Sequence, residues 1–271
     1  MGLRINTNIP AINASRVLRR TTGDLNKTLE QLSSGLRINR AADDAAGLAI
    51  AEAFRSQVLG TGVAQRNAQD GISLVQTAEG ALSETTNILQ RMRELAVQAA
   101  NGTQSDNNRL AIQGEINQLI QQINAIATDT EFNGIAVLNT TSAIQIQAGV
   151  YSGQTLALSM ASATAAALGV SLVSVVSAVL AASAISVIDA ALGTVNTLRA
   201  RLGAYQNRLE FTINTLAIQQ ENASASESAI RDADIAQVTI RFTRNQILLN
   251  AGTSVLAQAN VVPQTALQLL R

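Results

Sequence analysis

Few side chains in this chain could do chemistry. Asp43 and Asp44 are adjacent carboxylates, a pair that could in principle share a proton or a metal ion. Neighbouring residues on a helix point in different directions, and no His or third carboxylate lies near them in sequence. Gly60-Thr61-Gly62 has two glycines of a dinucleotide loop but lacks the third and the strand–turn–helix setting. The chain contains no Cys, His or Trp. A disulfide framework, a thiolate or imidazole zinc site, and a Ser-His or Cys-His nucleophilic pair are therefore excluded. With no constellation of acid, base, nucleophile or metal ligand, neither catalytic residues nor a cofactor are expected. Asn-x-Ser/Thr triplets such as Asn101-Gly102-Thr103 carry no weight by themselves.

What remains must act by packing. Across 271 residues, 19 basic and 19 acidic side chains cancel, which argues against a domain built to grip nucleic acid. Hydrophobic residues make up 47% and aromatics 2%, so cores must be Leu, Ile, Val and Ala, which suits close helix–helix contact. The two prolines are Pro10 and Pro263, and the proline-free stretch between them permits very long helices. Residues 1–20 carry Arg4, Arg16, Arg19 and Arg20 and no apolar core segment, so no secretory signal is expected and export would need another route.

Leu18, Leu25 and Leu32 are seven apart, as are Leu29 and Leu36. Interleaved, they predict a helical seam with 4-3 spacing, weakened by Thr22. Gly35 and the run 39–47 interrupt it and read as a connector between two packing units, with a solvated helix segment as the alternative. Periodicity resumes at Leu48 and runs through Ile72, Val75, Leu82, Leu89 and Met92 to about Val97. Asn101-Gly102 is a stop signal of the left-handed kind, and Ser105 or Asp106 can cap a helix carrying Ile112, Ile116, Leu119, Ile123 and Ile126. Asn133-Gly134 signals a hairpin turn. Alternation at 144–147 and 156–160 predicts two half-buried strands.

Residues 132–188 contain no charge. The stretch 161–188 could span a bilayer by length, but it is laced with Ser and Thr and lacks basic flanks. The alternative is a mixture of surface loop, strand and helix start. Beyond it, Val195, Leu198, Leu202, Tyr205, Leu209, Thr212 and Leu216 keep 3-4 spacing. A last helix carries Ile235, Val238, Phe242, Leu249 and Leu256, with Asn245 and Gly252 in the seam positions between, and it is expected to end at Pro263. The simplest solution pairs the first helix with the last. The fold class is mainly α, an elongated rod of long antiparallel coiled-coil helices with a small β-hairpin region. Apolar seams left on outer faces ask for further copies of the chain.

Several motifs carry a specific likeness. Residues 3–8 (LRINTN), 31–39 (QLSSGLRIN), 42–48 (ADDAAGL) and 90–98 (QRMRELAVQ) resemble bacterial flagellins, in the order that family has them. So do residues 201–208 (RLGAYQNR), Asp232-Ala233-Asp234, 251–260 (AGTSVLAQAN) and the closing Leu269-Leu270-Arg271. Gln237-Val238 and Ile240-Arg241 depart from the family pattern.

The resemblance implies an extracellular structural subunit of the flagellar filament, exported through the flagellar type III channel and self-assembling for motility. It implies an inner-tube domain (D0) from 1–45 and 228–271, with Leu18, Leu25, Leu29, Leu32, Leu36, Val238, Phe242, Leu249 and Leu256 as assembly seam. A second domain (D1) takes 46–160 and 186–227, with Leu198, Leu202, Tyr205, Leu209 and Leu216 as core seam, and 161–185 is a short surface connector in place of outer domains. Implied partners are other copies of the chain, a flagellar export chaperone, filament cap and hook-junction proteins, with no nucleic acid and no membrane. Arg91, Leu95 and Glu115 match contacts of the vertebrate toll-like flagellin receptor. Asp43, Asp44 and Gly47 lie in the segment that plant receptors perceive. Flagellins can carry O-linked glycans in the region of Ser and Thr residues 140–185, and the sequence alone does not decide whether this chain does. A hook–filament junction protein and a membrane-inserted helical protein are the alternatives.

Overall fold

A computed structural model describes the backbone of residues 7–268 and the side chains of 7–261. Five helices dominate: α1 (Ile9–Ser34), α2 (Ala45–Ala100), α3 (Asp106–Asp129), α4 (Ala178–Arg231) and α5 (Ile235–Gln268). Two antiparallel hairpins lie between α3 and α4: β1 (Glu131–Phe132) with β2 (Ile135–Ala136), and β3 (Ala143–Gln147) with β4 (Thr155–Ser159). The mainly α class with a small hairpin region is what the sequence predicts. The chain divides into two compact units. One is drawn from its two ends, up to Ser56 and from Asn222 onward, and the other is Gln57–Glu221. The boundaries fall inside α2 and α4.

α2 is 56 residues long, roughly 80 Å at 1.5 Å per residue. In the Gln57–Glu221 unit, Ala64, Ala68, Val75, Ala78, Leu82, Leu89, Met92, Ala96 and Ala99 form an unbroken buried 3-4 stripe once buried Gly71 and Thr85 are included. Each is small or aliphatic, as the scarcity of aromatics requires. The facing stripe of α4 buries Ile188, Ala191, Val195, Leu202, Leu209 and Leu216 fully, with Leu198 and Tyr205 half-buried at its edge. α3 contributes Ile112, Ile116 and Ile123. The Tyr205 hydroxyl accepts from Ser159 N at 3.3 Å, tying β4 to α4.

Helix ends follow local chemistry. Ser105 caps α3 by accepting from Asn108 N. α2 stops at Asn101-Gly102 as predicted, but neither residue takes a left-handed φ. Asn101 instead folds its side chain onto Thr103 N at 3.2 Å. Buried Arg109 reaches back from α3 and donates to the carbonyls of Ala99 (2.9 Å) and Asn101 (3.1 Å), satisfying the helix end directly. Asn133 and Gly134 do adopt left-handed φ of 51° and 75°, the two-residue turn that closes β1 on β2.

Residues 161–185 are not the surface connector that was expected. They divide into turns up to 177 and the start of α4. Ala163, Ala165, Leu168, Val170, Val173 and Val175 enter the core of this unit. Polar side chains of α3 hold the segment down: Gln113 accepts from Val175 N at 2.7 Å and donates to Val173 O, and Asn124 accepts from Ala165 N at 2.9 Å. Half of its apolar content is thus internal, which sequence patterning could not reveal. The irregular backbone to 177 also rules out one spanning helix over 161–188. α4 itself contains a window long and apolar enough to cross a membrane, with 28% of it buried.

Candidate assembly surface

α1 and α5 pack antiparallel within the terminal unit. Asn8 stands against Ala259, Leu18 against Gly252, and Leu36 bridges to Asp232. On α5 the half-buried and buried positions are Val238, Phe242, Asn245, Leu249, Gly252, Leu256 and Ala259; this follows the 4-3 spacing expected from the sequence, except that Ile235, expected in the stripe, is 48% exposed. On α1 the phase differs. Leu18, Leu25 and Leu32 lie in the seam, but Thr21 and Thr28 are buried between them while Leu29 is 54% exposed. The threonines tolerate burial because each hydroxyl donates to a carbonyl of its own helix, Thr21 to Val17 O and Thr28 to Asp24 O, both 3.1 Å. A leucine count alone puts the seam one residue off. Leu36 is half-buried in the connector, outside α1.

Pro263 does not end α5, which runs to Gln268. A proline inside a helix leaves the carbonyl four residues back without its donor. That carbonyl belongs to Ala259, and it accepts from Asn8 Nδ2 at 2.8 Å. Asn8 Oδ1 also caps α1 by accepting from Ala11 N at 3.1 Å. One side chain thus serves both helices, a role that periodicity does not signal.

The two connectors form a clasp. Ala233 N donates to Gly35 O at 2.9 Å and Arg37 N to Arg231 O at 2.7 Å, and the Arg37 guanidinium donates to Ile230 O. Arg231 pairs with Glu52 at 2.9 Å. Asp43 and Asp44 are structural here. Asp44 caps α2, accepting from Gly47 N at 2.9 Å. A Cβ on Gly47 would lie 2.4 Å from Asp44 Oδ2 and 2.9 Å from Ile38 Cδ1, so a larger residue there must displace the capping carboxylate and the buried Ile38 side chain. Asp43 Oδ1 meets Lys27 Nζ at 2.7 Å, and its Oδ2 accepts from the amides of Asn39 and Arg40. No group of three or more metal-ligating side chains occurs among the described residues.

Asp43 yields a pH prediction. The Lys27 ammonium above all holds its carboxyl below the ordinary aspartate value of 3.8; burial opposes this, and the Arg40 and Asn39 amides add to the lowering. A lowered folded-state value means that its stabilisation is complete above the ordinary carboxylate range and is lost as pH falls through the lowered value. Asp43→Asn should flatten the acid limb of unfolding of the terminal unit, measured by circular dichroism across pH. Superimposable acid limbs for the two proteins would assign the acid sensitivity elsewhere.

Of the three residues matched to a toll-like receptor contact, two are at the surface. Arg91 bridges Glu115 (2.9 Å) and Glu94 (3.1 Å) between α2 and α3. Leu95 is a correction: at 2% exposure it lies in the core. α2 buries a wide face there, with Met92, Leu95, Ala96 and Ala99 all covered.

Comparison with known proteins agrees with this geometry. Residues 5–143 match the family described as the bacterial flagellin N-terminal helical region, and residues 185–270 match its C-terminal helical region. The flagellin of Halalkalibacterium halodurans is 48% identical over 270 residues, covering 98% of this chain and 99% of that protein. The chain belongs to the bacterial flagellin family. It is a structural subunit of the extracellular flagellar filament rather than an enzyme. A flagellar filament core protein of Treponema maltophilum is 45% identical over 285 residues, covering 98% of this chain and 99% of its own. Among solved structures, a Bacillus cereus flagellin superimposes with a TM-score of 0.51 at 37% identity, covering 56% of this chain and 88% of its own. A putative flagellar hook-associated protein from Vibrio parahaemolyticus reaches a TM-score of 0.59 at 13% identity, covering 70% of this chain and 100% of its own. That second likeness shows the shared fold alone. The near-full-length identities separate this flagellin from the junction and membrane alternatives.

Proposed function

We propose that this flagellin polymerises through the α1/α5 pair, which forms the inner tube of the filament. One observation carries the reading. α5 uses one face for α1, yet its other face presents Ile240, Ile247, Leu248 and Val255, each about half exposed or more. Ile240 and Ile247 are seven apart, as are Leu248 and Val255, a second helical register left exposed among the described residues. Exposed Leu29 and Val17 add to it from α1. Burying these stripes against neighbouring copies makes them assembly residues in addition to the intrachain seam. The terminal stretches 1–45 and 228–271 are then the inner domain, and 46–160 with 186–227 the domain packed around it. An export chaperone, a filament cap and hook-junction proteins are the further partners, each meeting a subunit before or at the ends of the polymer.

The paired variant Ile240→Ser with Ile247→Ser tests this. Both side chains are exposed in the isolated chain, so folding should be unchanged while the critical concentration for seeded growth rises several-fold. Unchanged growth would remove the stripe from the interface.

The exposed Arg91–Glu115 surface supports recognition of the monomer by a toll-like receptor. Arg91→Ala should weaken a receptor reporter signal without lowering stability. Equal signals from the two monomers would refute that contact. The plant epitope reads differently. Asp44 is exposed, but Asp43 and Gly47 are half-buried and all three are engaged in the connector, which favours a receptor that meets residues 31–51 as an unfolded peptide. An oxidative burst in leaves with the synthetic peptide, and none with the folded chain, is the expected result.

A further inference from the structure

Asn101 is exposed where α2 ends, and exposed Gly102 follows it. The Asn101 carbonyl is held by Gln104 N at 3.2 Å and Arg109 Nη2 at 3.1 Å. Its side-chain Oδ1 accepts from Thr103 N at 3.2 Å. The Gly102 amide donates to no hydrogen bond among the described residues. We propose that Asn101 is a site of spontaneous deamidation, an intramolecular acyl transfer with water as the only co-reactant.

The chemistry follows from these positions. The Gly102 nitrogen gives up its proton to solvent base and attacks Cγ of Asn101. The new N–Cγ bond moves negative charge onto Oδ1, where the Thr103 N–H already donates and stabilises it, as an oxyanion donor does. The intermediate collapses by breaking the Cγ–Nδ2 bond as that nitrogen takes a proton back from the solvent acid, and it leaves as ammonia. Water opens the resulting succinimide at either carbonyl, giving aspartate or isoaspartate. No oxidation state changes. Glycine permits the attack because it has no Cβ to obstruct the approach and a freely adjusted backbone.

A second Asn-Gly pair provides an internal comparison. Asn133-Gly134 has the same chemistry in sequence, but Asn133 Oδ1 accepts no hydrogen bond among the described residues. Its backbone is also fixed at φ 51° in the turn between the paired β1 and β2. Asp70-Gly71 lies inside α2, where the backbone cannot rearrange without breaking the helix. Conversion at Asn101 places a carboxylate at the C-terminal end of α2, where the macrodipole disfavours it. The isoaspartyl product also lengthens the backbone beside the Arg109 contacts, loosening the α2–α3 junction.

Prolonged incubation of the full chain at mildly alkaline pH, followed by peptide mapping with electron-transfer fragmentation, tests the assignment. Asn101 should convert several-fold faster than Asn133, with isoaspartate among the products. Gly102→Ala should slow it several-fold. That variant is expected to fold, because a Cβ there meets no heavy atom within 4 Å and φ is not left-handed. Conversion at Asn133 as fast as at Asn101, or a rate at Asn101 unaffected by Gly102→Ala, would overturn the proposal.

Discussion

Gly252→Leu is expected to abolish filament growth while leaving the Gln57–Glu221 unit folded. A Cβ at Gly252 would already lie 3.1 Å from Leu18 Cδ1, so the α1/α5 approach is set by the absence of a side chain there. Alanine should be nearly neutral. The Leu18 methyl is the end of a flexible side chain and can shift, and replacing a mid-helix glycine gains about 0.5–1 kcal/mol of helix propensity. Leucine adds three more carbons on the same line and must wedge the helices apart. Overpacking of this kind costs about 1–3 kcal/mol within one chain, and a polymer repeats the loss in every subunit. Seeded growth followed by light scattering should therefore be normal for Gly252→Ala and absent for Gly252→Leu, with the helical signal of the longer helices preserved. Equal growth of the two variants would mean that this close approach is not needed for assembly.

The second large effect lies in the Gln57–Glu221 unit. Leu89 has no exposed surface and belongs to the continuous core shared by α2, α3, α4 and the hairpins. Leu89→Ala should cost about 2–5 kcal/mol, from lost transfer energy and the cavity left behind. For a unit of this size that lowers Tm by roughly 5–15 °C. A calorimetric scan of the monomer measures it. A shift of a degree or less would mean that neighbouring aliphatic side chains collapse into the gap, which a core free of large aromatics could permit only by moving helices.

Legibility in the sequence tracked the kind of side chain that does the packing. The α5 seam was readable at Val238, Phe242, Leu249 and Leu256, whose spacing admits Asn245 and Gly252 between them, but not at Ile235, which continues the apolar pattern and is 48% exposed. The α1 seam was readable in three leucines and misphased at Leu29, because Thr21 and Thr28 are buried through hydrogen bonds to their own helix. The β1–β2 turn was announced by Asn133-Gly134, whose left-handed backbone is a local property. Burial of 161–177 was not legible. Its anchors are Gln113 and Asn124, polar side chains some 40 to 60 residues earlier in sequence, and no local periodicity reports on them. Pro263 misled for the same reason, since the donor that replaces its missing amide comes from Asn8 at the other end of the chain.

Electron cryo-microscopy of filaments grown from the purified flagellin on short seeds tests the central claim most directly. The expected map shows α1 and α5 paired antiparallel in the innermost layer, Leu18 against Gly252, with Ile240, Ile247 and Val255 buried against adjacent copies. A filament whose inner layer leaves that stripe facing solvent, or no filament where a control flagellin assembles, would contradict it.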